Sequence, residues 1–190
     1  DIKWDFYSYY EPEYHWINFK RNKNNHYHTD THQQISYGEG DQANGTDSRF
    51  TPGKGYMMAI SQDSYMNSTG TLNNGDVTIT LTNQEPLNPV YNKGWNLVGN
   101  PYQAYLDLNV VTHAMFDGNG TATFYIYDAE QGNIYVPYTI DQSENPVAPS
   151  RYIHPHQGFF MHANSEGTSK DFTFTKDMAT ATKNDGSYFR

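Results

Sequence analysis

Several stretches of this chain hold side chains that could do chemistry. His26-Tyr27-His28 sets two imidazoles on one side of an extended segment, and His32 follows nearby. Neutral imidazoles of this kind bind zinc, nickel or copper. No Cys, Glu or fourth His stands at a familiar ligand spacing, so the plainer reading is a hydrated loop and no metal site is expected. Asp117-Gly118-Asn119-Gly120-Thr121 alternates oxygen donors as the start of a calcium loop does, but lacks the later acidic ligand and reads as turn chemistry. His154 and His156 flank Pro155 and have no counterpart in a related segment described below.

Catalytic patterns are missing. A glycosidase needs two carboxylates across a cleft, whereas Asp41, Asp47, Asp63, Asp76, Asp117 and Asp141 fall in turn-like sequence. There is no Gly-x-Ser-x-Gly elbow and no Gly-x-x-x-x-Gly-Lys-(Ser/Thr) loop. Gly38-Glu39-Gly40 and Gly53-Lys54-Gly55 lack the βαβ context of a dinucleotide site. We therefore expect no enzyme and no cofactor.

Aromatic residues are the remaining resource: 17 Tyr, 10 Phe and 3 Trp. Tyr14 and Trp16, and later Tyr135 and Tyr138, occupy corresponding places in the two halves of the chain. A Tyr/Trp platform on a sheet stacks on the apolar face of a sugar, which makes these four residues the candidate binding residues. The same rings could instead fill the space between two sheets, and on sequence alone that is the preferred account.

The elements that must position them are strands. Alternating or apolar-aromatic runs predict strands at about 5–10, 15–19, 55–61, 77–82, 96–98, 122–127, 134–138, 158–163 and 172–176. Asn73-Asn74-Gly75-Asp76 and Glu130-Gln131-Gly132-Asn133 read as hairpin turns. One weak helical pattern covers Leu106 to Met115, and the long polar stretch from Asn22 to Ser48 calls for either a binding loop or disorder.

The chain also repeats itself. Pro52-Gly53-Lys54-Gly55-Tyr56-Met57-Met58-Ala59 returns about a hundred residues later as Pro155-His156-Gln157-Gly158-Phe159-Phe160-Met161-His162. Ahead of each copy, Asp5-Phe6-Tyr7-Ser8-Tyr9-Tyr10 matches Thr123-Phe124-Tyr125-Ile126-Tyr127-Asp128. The expected fold is all-β, a β-sandwich of jelly-roll-like or Greek-key connection built from two related repeats. Residues 1–85 form the first repeat, 86–93 the seam and 94–190 the second, the halves packing together rather than apart.

A net charge of -9, thinly spread, disfavours nucleic acid and anionic membrane surfaces. No apolar run is long enough to span a bilayer, so no membrane insertion is expected. No cysteine is present, which removes disulfide and thiol chemistry. Asp1 is an unusual first residue, so the chain is expected to begin after any export signal.

Lys93-Gly94-Trp95-Asn96-Leu97-Val98-Gly99-Asn100-Pro101-Tyr102 resembles the opening of a repeated β module of large exported proteins of Bacteroidetes-type bacteria. Tyr125 to Asp128, Pro155 to Phe159 and Phe172 to Thr175 match its later landmarks in order, while the first half lacks a Gly-Trp opening. The resemblance implies an extracellular or cell-surface location, often by type IX secretion, within a longer parent protein. It carries no catalytic or ligand residues. The expected function is a non-catalytic interaction or adhesion module, with a host or matrix protein or a glycan as partner beside the neighbouring domains of the parent. A carbohydrate-binding module using exposed Tyr and Trp is the second expectation and a structural spacer the third.

Overall fold

The computed structural model describes residues 4–11, 14–18, 51–60, 63, 71–83, 93–111, 122–128, 132, 134–140, 152–163 and 168–181. Within them the chain is all-β, interrupted by short 3-10 turns at Leu108–Val110 and Lys176–Met178. Strands β1 (Trp4–Tyr10), β2 (His15–Asn18) and β3 (Met57–Ile60) form one sheet in the order β2-β1-β3. Strands β5 (Trp95–Gly99), β7 (Ala122–Asp128), β8 (Ile134–Ile140) and β10 (Gly158–His162) form a second, ordered β5-β10-β7-β8. The strands β4 (Val77–Asn83) and β11 (Thr168–Phe174) pair with each other, and β6 (Tyr105–Asp107), β9 (Tyr152–Ile153) and β12 (Ala179–Thr180) make a small sheet ordered β12-β6-β9. In the four-stranded sheet β10 returns between β5 and β7, whereas a Greek key sends its last strand to the outside.

Alternation decides which side chains enter the core. Phe124 and Ile126 of β7, Tyr138 of β8 and Phe159 and Met161 of β10 point to one face and are buried. They close on Leu81 of β4, Phe172 and Phe174 of β11, and Leu106, Ile153 and Met178. Phe159 meets Phe174 edge-on at 6.4 Å, joining the four-stranded sheet to the β4–β11 pair. The expected helix over Leu106 to Met115 is replaced by β6 and one 3-10 turn, with Leu106, Leu108 and Val111 buried. Val110 and Val111 are β-branched and the pattern has no cap, so nothing local favours continuing a helix. Residues 112–115 lie outside the described residues.

The two related segments each pair antiparallel with the aromatic strand that precedes them in its half. Met57 pairs with Tyr7 and Met58 with Phe6, just as Phe160 pairs with Tyr125 and Met161 with Phe124. In the hairpins Tyr9 lies opposite Trp16, and Tyr127 opposite Tyr135. Beyond this likeness the two halves interlock. Strand β4, assigned from sequence to residues 1–85, pairs along its length with β11, from Val77 opposite Phe174 to Asn83 opposite Thr168.

The Gly94 to Tyr102 segment supplies the joints. Gly94 has φ +84, and a Cβ there would lie 2.5 Å from the Ala163 carbonyl oxygen. The Asn96 amide accepts the Thr82 N–H at 2.9 Å and donates to the Thr82 carbonyl at 2.8 Å, tying β5 to β4. Asn100 donates to the carbonyls of Ala104 at 2.8 Å and His154 at 2.9 Å, closing the turn that follows β5. Glu11, buried at the end of β1, accepts the Gly94 N–H at 2.8 Å and the Thr82 hydroxyl at 2.9 Å. The first half, which has no Gly-Trp strand of its own, lays Gly53–Gly55 along the other edge of β5. Gly55 N–H donates to Leu97 O at 3.1 Å, and Gly99 N–H donates to Gly53 O at 2.9 Å. A Cβ on Gly55 would meet the Val98 oxygen at 2.4 Å, so this approach requires glycine.

Candidate functional site

The face of the four-stranded sheet opposite the core is aromatic. The alternation that sends Phe124, Ile126, Phe159 and Met161 inward sends Trp95, Tyr125, Tyr127, Tyr135 and Phe160 outward. The β1–β2 hairpin adds Tyr9 and Trp16 to this face. Tyr9 lies 5.3 Å from Phe160 at an interplanar angle of 87°, and Trp16 lies 6.2 Å from Phe160 at 78°. Tyr9, Trp16, Trp95, Tyr125, Tyr135 and Phe160 line a cleft of about 430 Å³.

The rings hold one another edge to face, the arrangement their quadrupoles favour. Trp95 meets Tyr125 at 4.7 Å and 84°, Tyr135 meets Phe160 at 5.6 Å and 74°, and Tyr9 meets Trp16 at 5.5 Å and 68°. His162 stands 4.7 Å from Trp95, its Nε2 2.9 Å from the Lys93 carbonyl, which fixes the ring beside the cleft. Burial, with smaller contributions from Tyr14 and Glu11, pushes the Tyr9 phenol up to about 12. Burial and Tyr127 also raise Tyr135. Both therefore present neutral hydroxyls at physiological pH. Among the described residues no Lys, Arg, Asp or Glu lines this cleft.

The structure brings together two of the four residues singled out from sequence. Trp16 of β2 and Tyr135 of β8 both line the cleft. Tyr138 needs correction: it is 1% exposed and packs in the core against Phe124 at 6.0 Å. The reason is parity, because Tyr135 and Tyr138 are three residues apart on one strand and so face opposite sides. Tyr14 sits in the turn between β1 and β2 with φ 55, half-buried, and is not part of the cleft wall. Burial and then Glu11 push its phenol up to about 12.

Tyr9, Trp95, Tyr125 and Phe160 were not singled out from sequence. The signal was available in the alternation around Phe124 and Phe159, whose neighbours must face away from the core. What sequence does not carry is the meeting of β1 and β2 with the outer face of β10.

Among the described residues no group of three His, Cys, Asp or Glu could hold a metal ion. His26, His28, His32 and Asp117 lie outside the described residues. His154 packs edge-on against Tyr105 at 5.2 Å, and His156 Nε2 lies 2.8 Å from Gln103 Oε1. Compared with protein-family models, curated proteins and solved structures, the chain matches none.

Proposed function

We propose that this chain is a non-catalytic interaction module of a larger exported bacterial protein, and that it holds its ligand in the aromatic cleft. The observation that carries the reading is the convergence of six rings from β1, β2, β5, β7, β8 and β10 on one cleft away from the core. A stable sheet does not need them there, since the opposite face already supplies the core. Large rigid rings are the side chains that dominate recognition, because they bury area at small entropic cost.

A neutral glycan is the ligand class that the lining favours. Five of the six rings end in a hydroxyl or an indole N–H, and only Phe160 has no polar tip. A purely apolar ligand would leave those tips unsatisfied on burial. A sugar offers an apolar C–H face and a rim of hydroxyls to match them. The described lining residues are all uncharged, which suits an uncharged sugar rather than an acidic one.

The test is a screen of the chain on immobilised neutral oligosaccharides, followed by calorimetry with any hit. Retention that disappears in Trp16→Ala and Trp95→Ala, with both variants folded, supports the reading. Retention unchanged in both variants, or no glycan bound at all, counts against it.

A further inference from the structure

Three rings of the cleft stand at steep angles to one another. Tyr9 and Phe160 are 5.3 Å apart at 87°, Trp16 and Phe160 6.2 Å apart at 78°, and Tyr9 and Trp16 5.5 Å apart at 68°. They come from β1, β10 and β2, so they form a corner that no single strand sets by its own pleat. Tyr135 adds a ring at 74° to Phe160, and Trp95 and Tyr125 stand at 84° to each other. Stacking on a sugar uses one ring face at a time, and a corner of faces offers more than that.

The face of an aromatic ring carries the negative part of its quadrupole. For three mutually perpendicular rings, the point that faces all three centroids lies from each at their separation divided by the square root of two. Separations of 5.3 to 6.2 Å put that point about 3.7–4.4 Å from each centroid, inside the roughly 6 Å over which a ring face attracts a cation. Tryptophan is the strongest such partner, and the cleft has two, Trp16 and Trp95. No Lys or Arg among the described lining residues repels a cation there, and the net charge of -9 draws cations toward the chain. A primary ammonium leaving water needs an acceptor for each N–H, and the described lining has no carboxylate to answer it. A quaternary ammonium has no N–H and spreads its charge over its methyl groups, so ring faces can receive it.

We propose that the cleft also binds a quaternary ammonium head group of the choline type, seated in the corner formed by Tyr9, Trp16 and Phe160. The proposal rests on the reading of the cleft as the ligand site and adds a cation to the glycan as a ligand class. Because no Lys or Arg among the described lining residues answers a phosphate or carboxylate, the favoured ligand is choline itself, with its neutral tail, rather than phosphocholine.

The experiment titrates the intact chain with choline chloride, with dimethylbutanol as its neutral carbon isostere, and with phosphocholine, followed by Trp fluorescence and calorimetry. Choline should bind about tenfold more tightly than the isostere, and phosphocholine less tightly than choline. Trp16→Leu replaces a ring face by apolar bulk and should remove the preference for choline over the isostere. Should that variant fail to fold, the comparison of choline with the isostere on the natural chain decides alone. Equal affinity for the two, an undiminished preference in folded Trp16→Leu, tighter binding of phosphocholine, or no binding of choline would each overturn the proposal. Its failure is separable from that of the glycan reading: choline bound with no glycan retained supports the proposal, and glycan retained without choline bound overturns it alone.

Discussion

The two faces of the β5-β10-β7-β8 sheet use the same residue types for opposite ends. On the inner face Phe124, Phe159 and Met161 are shut into a core shared with β4 and β11. On the outer face Tyr125, Tyr135 and Phe160 face a cleft closed on one side by Tyr9 and Trp16. Tyrosine appears on both: Tyr138 at 1% exposure inside and Tyr135 at 47% outside. Aromatic content alone therefore says little about role. Position within the two-residue period separates the rings shut into the core from those that line the cleft.

The sharpest test of that division compares neighbours on β10. Phe159→Ala empties a fully buried site and is expected to cost about 3–5 kcal/mol. Phe160→Ala removes a half-buried ring from the other face and should cost about 1–2 kcal/mol, from partial burial and its lost ring contacts. Denaturant unfolding of both variants measures the gap. Equal losses would break the comparison, since they would make the outer face part of the core.

That division was partly legible before the fold was known. Val77–Asn83, Ala122–Asp128 and Gly158–His162 announce themselves by alternation, and their observed limits differ from expectation by a residue or so. Strands of two or three residues, such as Tyr105–Asp107 and Tyr152–Ile153, are too short to carry a period and leave no signal in the sequence. The pairing of the β1–β2 hairpin with the outer face of β10 rests on tertiary contacts between residues such as Tyr9 and Phe160, far apart in sequence. No local pattern encodes such a meeting. Trp16 and Tyr135 are legible as conspicuous aromatics of hairpin strands, whereas Tyr138, three residues on from Tyr135 in one strand, takes the opposite face by parity.

Binding should show the complementary pattern. Trp16→Ala removes a central ring of the cleft and should weaken glycan binding by about 2 kcal/mol, roughly 30-fold in Kd. Tyr138→Phe deletes only a hydroxyl on the inner side and should leave that Kd unchanged. Calorimetric titration of the two variants sharpens the comparison, and a larger binding loss in Tyr138→Phe would reverse it.

A smaller effect tests what holds the cleft's first wall in place. Glu11 accepts from Gly94 N–H and Thr82 hydroxyl, linking the end of β1 to β5 and β4. Glu11→Gln keeps one carbonyl acceptor and lets the Thr82 hydroxyl reverse its role, so the charge-assisted character is lost but no group need be stranded. The expected cost is about 1 kcal/mol. Glu11→Ala leaves the Gly94 N–H without its acceptor and should cost more, measured by the same denaturant series.

The least costly probe is pH, because it changes no atom of the chain near neutrality. Tyr9 is pushed up to about 12, chiefly by burial, and Tyr135 is raised by burial and by Tyr127. A raised phenol means that the folded state holds its proton where the unfolded chain, with an ordinary value near 10, has released it. Between about pH 10 and 12 the native state then binds more protons than the unfolded one, so stability falls as pH rises through that window and is unaffected below it. Ultraviolet titration of the folded chain should show late-ionising tyrosines, Tyr14 as well as Tyr9, and Tyr9→Phe should reduce their number by one. Saturating glycan should delay the ionisation further, since a ligand over the cleft makes a phenolate harder to form. A Tyr9 that ionised near 10 in the folded chain would show that the β1–β2 hairpin does not cover the outer face, and the two faces would then differ by less than their burial implies.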